Sequence, residues 1–163
     1  GIRNMQAVEK LLELGVERLI LGSAAVKNPA LVKEACAKYP GHIAVGIDAK
    51  NGDVAIEGWG EGSGVAATEL AKRMAGYGVA TIVFTDISRD GMLSGVNAEA
   101  TAALARACGV PIIASGGVAS LDDIRNVKSF EKDGVAGCII GKAIYTGAVN
   151  LPEALKIAAA KEE

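Results

Sequence analysis

Short apolar segments alternate with amphipathic helical segments along the whole chain, and this alternation constrains the fold most strongly. Five apolar segments read as strands, and each ends at a glycine or a polar residue: 18–21, 42–47, 80–84, 111–114 and 135–140. Six helical patterns lie between or beside them, beginning near Asn4, Asn28, Ala66, Asn97, Ser120 and Asn150. Nearly continuous apolar strands joined through helices indicate a parallel sheet covered by helices. The pattern predicts one α/β domain over residues 1–163, with its ligand site at the carboxyl ends of the strands.

Composition excludes several classes of function. The 163 residues carry 17 Lys+Arg against 19 Asp+Glu and few aromatic residues, so neither nucleic acid nor a membrane surface is an expected partner. The chain lacks an apolar run of membrane-spanning length and a signal-peptide pattern, and we expect a cytoplasmic protein. Three widely spaced cysteines predict buried free thiols, and the single histidine, His42, predicts a surface position before a strand. No metal site is expected.

Comparing the chain with itself reveals an internal repeat. Residues 15–24 resemble residues 134–143, and both segments close on a glycine, Gly22 and Gly141. A glycine after a strand lets backbone N–H groups approach a phosphate, and the following helix start adds partial positive charge. Two such copies placed across a barrel predict two anion sites and a substrate with two phosphates. The alternative is that these glycines only permit tight turns.

Several polar residues follow the predicted strands and are candidates for chemistry. Asp48 and Thr85 each end an apolar strand, and Asp90 follows a few residues later. Carboxylates at strand ends beside hydrophobic walls can serve as general acids. The alternative for Asp90 is a simple Asp-Gly turn with Gly91. Trp59, the only tryptophan, lies in a glycine-rich stretch that is typical of a mobile loop closing over a flat substrate.

Six motifs, in order along the whole chain, resemble the ProFAR isomerases of histidine biosynthesis. They are Gly1-Ile2-Arg3, Gly46-Ile47-Asp48, Glu57-Gly58-Trp59, Thr85-Asp86-Ile87-Ser88-Arg89-Asp90-Gly91, Ser115-Gly116-Gly117 and Gly141-Lys142. The resemblance implies a (β/α)8 TIM barrel, of which five strands and six helices are present here. It also implies an Amadori rearrangement of an aminoaldose to an aminoketose on a bis-phosphorylated substrate, without metal or cofactor.

The same resemblance implies a role for each matching residue. Asp90 is then the general acid that protonates the ribose ring oxygen, while Asp48 and Thr85 position the opened sugar. Trp59 stacks on the carboxamide-imidazole end of the substrate. The implied phosphate ligands form two sets: Gly1, Arg3, Gly22 and Ser23 for one phosphate, and Gly116, Gly117, Gly141 and Lys142 for the other.

The start of the chain sets an expectation about the missing partner of the general acid. In the family, the general base is an aspartate at the end of the first barrel strand, whereas this chain begins at the loop after the third. We therefore expect the base in an N-terminal segment before Gly1. Two alternatives are a catalytically silent partial barrel, which binds phosphate or self-associates through open edges, and the related cyclase subunit of imidazole-glycerol-phosphate synthase.

Overall fold

The computed structural model describes residues 1–56 and 61–160, which form one sheet with helices packed against it. The strands are β1 (Leu19–Leu21), β2 (Ile43–Lys50), β3 (Asp53–Ile56), β4 (Glu61–Ala66), β5 (Thr81–Asp86), β6 (Ile112–Ser115) and β7 (Val135–Cys138). The α-helices are α1 (Met5–Glu13), α2 (Ala24–Lys27), α3 (Pro29–Lys38), α4 (Ala67–Gly76), α5 (Ala98–Cys108), α6 (Leu121–Ser129), α7 (Lys142–Tyr145) and α8 (Leu151–Ala159). No α-helix among the described residues is long and apolar enough to cross a membrane.

The five predicted parallel strands are confirmed. They lie in the order β1, β2, β5, β6, β7, and every neighbouring pair is parallel. Each crossover passes through at least one helix, as is usual for parallel strand pairs. The predicted α/β fold is therefore the observed one.

Polar caps set the beginnings of the longer helices. The Asn4 side chain accepts a hydrogen bond from the Ala7 amide at 2.9 Å, and Asn97 and Asn150 cap α5 and α8 in the same way. Ser120 and Asp123 form the predicted capping box at the start of α6. Such caps satisfy backbone N–H groups that have no partner inside the helix. Local sequence therefore determines where these helices begin.

The hydrophobic core lies between the sheet and the helices. Leu70 and Met74 on α4 are fully buried against strand residues such as Ile82. The other face of the sheet carries exposed apolar residues at both edges, because Ile20 on β1 is 52% exposed and Ile139 after β7 is 46% exposed. Among the described residues β1 and β7 do not pair with each other, so the sheet forms part of a barrel without closing it.

Several local expectations need correction. β2 continues past Ile47 to Lys50, and residues 61–66 form β4 rather than a loop. The reason is that the end of β2 pairs with β3, and β3 pairs with β4, in an antiparallel extension of the sheet. Six helices have nine or more residues, as predicted, but the single-turn helices α2 and α7 are additional. The cysteines are free, although only Cys36 is fully buried. His42 is exposed before β2, as expected.

Candidate active site at the carboxyl ends of the strands

A row of polar side chains is created by the register of three neighbouring strands. Asp48 on β2 is opposite Thr85 on β5, and Thr85 is opposite Ser115 on β6. Residues opposite each other in a sheet point to the same face. Asp48 lies four residues after Ala44 on β2, and Ala44 is opposite Ile20. Because side chains alternate between the two faces of a sheet, the row lies on the same face as Ile20. The structure thus brings together the two predicted strand-end residues and adds Ser115.

A cavity of about 260 Å³ lies beside this row, and we call it the glycine pocket. It collects four predicted phosphate ligands, the predicted acid and one residue of the polar row. Its lining residues are Asp90, Gly91, Leu93, Ser115, Gly116, Gly117, Val118, Ile139, Gly141 and Lys142. Backbone N–H groups of a glycine-rich turn together with a lysine ammonium suit a phosphate group. The structure places Gly116, Gly117, Gly141 and Lys142 around one cavity, and that they bind a phosphate stays a prediction.

Gly116 and Gly117 must be glycines for steric reasons. Their φ angles are +92° and +87°, values that L side chains rarely adopt. A Cβ on Gly116 would lie 2.7 Å from the Asp86 carbonyl oxygen, and one on Gly117 would lie 2.5 Å from the Gly95 carbonyl oxygen. The turn after β6 therefore packs directly on the backbone of the segment after β5.

That segment carries Asp90 and is called the Asp90 loop, residues 87–96. It is held against the turn after β6 by a hydrogen bond from the Gly95 amide to the Gly117 carbonyl oxygen at 3.0 Å. It is also held from the opposite wall, because the Lys142 ammonium donates to the Gly91 carbonyl oxygen at 3.2 Å. Asp90 itself is exposed at the rim of the glycine pocket. This is where a carboxyl group can meet a ligand held by the pocket.

The internal repeat is visible in the hydrogen bonding after β1 and β7. The Ala25 amide donates to the Gly22 carbonyl oxygen at 2.9 Å, and the equivalent Ile144 amide donates to Gly141 at 3.1 Å. A single-turn helix follows each glycine, α2 in one copy and α7 in the other. The two segments therefore resemble each other in conformation as well as in sequence.

The first predicted phosphate set is less well assembled than the second. Its four residues are all exposed and do not line the glycine pocket: Gly1, Arg3, Gly22 and Ser23. The prediction that they bind the other phosphate stays a prediction. Trp59 lies outside the described residues, so its stacking role also stays a prediction. Among residues 1–56 and 61–160, no group of three or more His, Cys, Asp or Glu side chains is placed to hold a metal ion.

The sequence motifs gave no site role to Asp86, a buried carboxylate beside the glycine pocket. Asp86 is buried and accepts hydrogen bonds from Ser88 and Asn97. Burial by itself raises the pKa of this carboxyl, but the hydrogen bonds from Ser88 and Asn97 and the Arg89 charge together hold the pKa below its ordinary value. The signal available in the sequence was the spacing of Asp86, Ser88 and Asn97 around one short loop.

The fold and the site together define a class of protein. Parallel βα units with polar side chains and a glycine pocket at the carboxyl ends of the strands are typical of α/β barrels that act on small phosphorylated molecules. Over residues 1–150 the chain matches a family model described as histidine biosynthesis protein. The chain belongs to this family.

Individual relatives are similar over nearly the whole chain. A protein of Geobacter sulfurreducens is 59% identical over 157 residues, which are 96% of this chain and 64% of that protein. One of Desulforamulus reducens is 59% identical over 162 residues, covering 99% of this chain and 66% of that protein. Both are named as the isomerase of 1-(5-phosphoribosyl)-5-((5-phosphoribosylamino)methylideneamino) imidazole-4-carboxamide. The chain thus spans slightly less than two thirds of the length of these relatives.

Proposed function

We propose that this chain forms the larger part of an isomerase that converts ProFAR, the substrate in the relatives' names, by an Amadori rearrangement in histidine biosynthesis. The observation that carries the proposal is that Asp90 lines the glycine pocket. The pocket lies next to Asp48, Thr85 and Ser115, which are opposite one another on neighbouring strands. A phosphate group held by the pocket would bring the attached sugar to these side chains. The relatives' names support the same substrate.

The chemistry needs one proton donor and one proton acceptor. We propose that the Asp90 carboxyl donates a proton to the ribose ring oxygen as the bond from that oxygen to C1 breaks. A base then removes a proton from C2, which gives an enolamine with a hydroxyl group on C2. The enolamine becomes the aminoketose when C1 gains a proton and the C2 hydroxyl loses its proton. The resemblance assigns the base to an aspartate in a segment before Gly1. Asp48 and Thr85 hold hydroxyl groups of the opened sugar, and no metal or cofactor takes part in this scheme.

The phosphate ligands follow from the same proposal. Gly116, Gly117, Gly141 and Lys142 hold one phosphate through backbone N–H groups and one ammonium, which match the negative charge. Gly1, Arg3, Gly22 and Ser23 hold the other phosphate, and Trp59 stacks on the imidazole-carboxamide. Two phosphate sites flanking the polar row fit a substrate that carries a phosphate at each end. We further propose that the reaction takes place in the cytoplasm.

A turnover assay tests the proposal on the protein as its gene encodes it. Purified protein should convert ProFAR, and Asp90→Asn should lower kcat by roughly 100-fold or more with a much smaller change in KM, because general acid catalysis typically contributes 10²- to 10⁴-fold. Asp122→Asn is the matched control, since Asp122 lies exposed on α6 and pairs with Arg125. Equal losses in kcat and in substrate affinity on replacing Asp90 would contradict its role as the acid.

A second proposal concerns the open edges of the sheet. β1 and β7 each pair on one side among the described residues, and an apolar groove of about 520 Å³ lies between β7, α6 and α8. Leu155 and Tyr145 are exposed along it. Unpaired strand edges beside apolar side chains favour pairing with another chain. We therefore expect a polypeptide of these 163 residues to self-associate, and a strictly monomeric mass in light scattering at all concentrations would contradict this.

A further inference from the structure

We propose that Asp86 is a positioning residue that, paired with Asn97, holds the Asp90 loop in the geometry that acid catalysis requires. The inference rests on the proposed function, because the reaction gives the position of Asp90 its importance. The observation behind it is that one buried carboxylate, Asp86, accepts hydrogen bonds from Ser88 and from Asn97, at the two ends of the loop. We call this meeting point of the two ends the neck of the loop.

The location of Asp86 makes it unusual among the carboxylates of the chain. It is the last residue of β5 and is opposite Ala49, so its side chain points to the helix-covered face and away from the polar row. It is only 9% exposed. A carboxylate is costly to bury unless hydrogen bonds replace its lost water. The hydrogen-bond partners of Asp86 therefore explain why it is tolerated.

The two carboxylate oxygens serve the two ends of the loop. At the start, Oδ1 accepts hydrogen bonds from the Ser88 amide at 3.1 Å and from the Ser88 hydroxyl at 2.5 Å. At the end, Oδ2 accepts one from the Asn97 Nδ2 at 2.8 Å. Residues 88 and 97 are thereby joined through one side chain. The Asp90 loop is closed at its neck by charge-assisted hydrogen bonds, which are the stronger kind.

The orientation of the Asn97 amide is determined by a second task. Its Oδ1 accepts a hydrogen bond from the Ala100 amide at 3.2 Å and so caps α5. Its Nδ2 must then face Asp86, and turning the amide over would lose the cap. The Asn97 carbonyl oxygen also accepts the Thr101 hydroxyl at 2.8 Å. The end of the loop is thus attached to the packed helix α5. Through its hydrogen bonds to Asn97 and Ser88, Asp86 also fixes the start of the loop to that helix.

Asp90 is connected to this neck through the backbone and through Arg89. The Asp90 amide donates to the Asp86 carbonyl oxygen at 3.2 Å. Arg89 Nη1 donates to the Gly95 carbonyl oxygen at 3.2 Å, while its Nε lies 3.6 Å from Asp86 Oδ2. A guanidinium therefore spans the inside of the loop. Losing the Asp86 carboxylate would release both ends of the segment on which the proposed acid lies.

A substitution and its swap separate positioning from general stability. Asp86→Asn retains size but leaves one acceptor oxygen, so the new N–H₂ group must face either the Asn97 N–H₂ group or the Ser88 amide. In either orientation one hydrogen bond at the neck is lost. In the double variant Asp86→Asn/Asn97→Asp, the amide at 86 again donates to a carboxylate at 97, and an aspartate caps α5 as well as an asparagine does. The swap restores the connection with the two residue types exchanged.

The experiment measures amide hydrogen exchange and steady-state kinetics in the protein as its gene encodes it. For Asp86→Asn we expect at least tenfold faster exchange in residues 87–96 and a kcat for ProFAR lowered by roughly 10- to 100-fold, because small displacements of a catalytic group cost that much. KM should change less than threefold. The double variant should recover kcat and the exchange rates to within about threefold of the original protein. The control Asp122→Asn should match the original protein in kcat, KM and exchange.

The outcomes distinguish this inference from the proposed function. Unchanged exchange in the loop of Asp86→Asn overturns the positioning role, whatever the kinetics are. Faster exchange with unchanged kcat also overturns it, since the neck then has a structural role alone. If the original protein does not convert ProFAR but the single variant loosens the loop and the swap restores it, the proposed function is wrong and the anchoring by Asp86 stands.

Discussion

Replacing Gly117 by alanine tests how firmly the turn after β6 packs on the Asp90 loop. The chain offers a matched comparison, because Gly15 has the same φ of +87°. A Cβ on Gly15 meets nothing within 4 Å, whereas a Cβ on Gly117 lies 2.5 Å from the Gly95 carbonyl oxygen and 2.9 Å from the Arg89 Cβ. The two variants share the positive φ and differ in the steric overlap.

The expected magnitudes follow from these distances. The left-handed backbone costs an alanine about 1–2 kcal/mol, and the stiffer unfolded chain returns about 0.4–1 kcal/mol, so Gly15→Ala should destabilise by about 1 kcal/mol. In Gly117→Ala the loop must also move by roughly 1 Å to reach a normal C···O contact. That overlap adds about 1–3 kcal/mol, and the lost bond between Gly95 and Gly117 adds about 1 kcal/mol. We expect a total cost of about 3–5 kcal/mol.

Urea unfolding followed by circular dichroism measures both costs, with equal m-values as the condition for comparing them. Gly76→Ala is the control, because Gly76 is the last residue of α4, has no positive φ and leaves its Cβ in open space. It should leave stability unchanged or raise it by up to about 1 kcal/mol. If Gly117→Ala and Gly15→Ala differ by less than about 1 kcal/mol, the Asp90 loop yields without cost and the reasoning on its packing is wrong.

Four further predictions follow from the site and the core. Lys142→Met should weaken binding of inorganic phosphate by roughly tenfold at low salt, since a charge-assisted hydrogen bond is lost; unchanged affinity in calorimetric titration would argue against the pocket. Trp59→Ala should weaken binding of the intact substrate more than that of ribose phosphate, and an equal loss would indicate a structural role. Leu70→Ala, at a side chain only 1% exposed, should cost about 2–5 kcal/mol in urea unfolding. The pKa of Asp86 is lowered in the folded state, so the carboxylate stabilises the fold above its unfolded-state pKa of about 3.9, and this stabilisation is lost as pH falls through the folded-state pKa. The stability difference between the original protein and Asp86→Asn should therefore shrink below about pH 4 in thermal melts. A difference that stays constant from pH 6 to pH 3 would refute this.

Predictions that depend on neighbouring residues along the chain succeeded. The caps at Asn4, Asn97 and Ser120 were predictable because a side chain and the amides it caps are three residues apart. The parallel order of the strands was predictable because helical connections leave few alternatives. The β4 strand was missed because four of the seven residues from 58 to 64 are glycines. Its pairing with β3 comes from the partner strand and not from its own propensity.

The sequence by itself determined the βα repeat, the beginnings of the longer helices and the residue types that gather at the ends of the strands, because these depend on local periodicity and capping. Only the tertiary structure decided which of those residues meet. The register between β2, β5 and β6 aligned Asp48, Thr85 and Ser115 in one row. The burial of Asp86 depended on the same register and on Asn97, eleven residues away, because a carboxylate is buried only where folding brings its hydrogen-bond donors together.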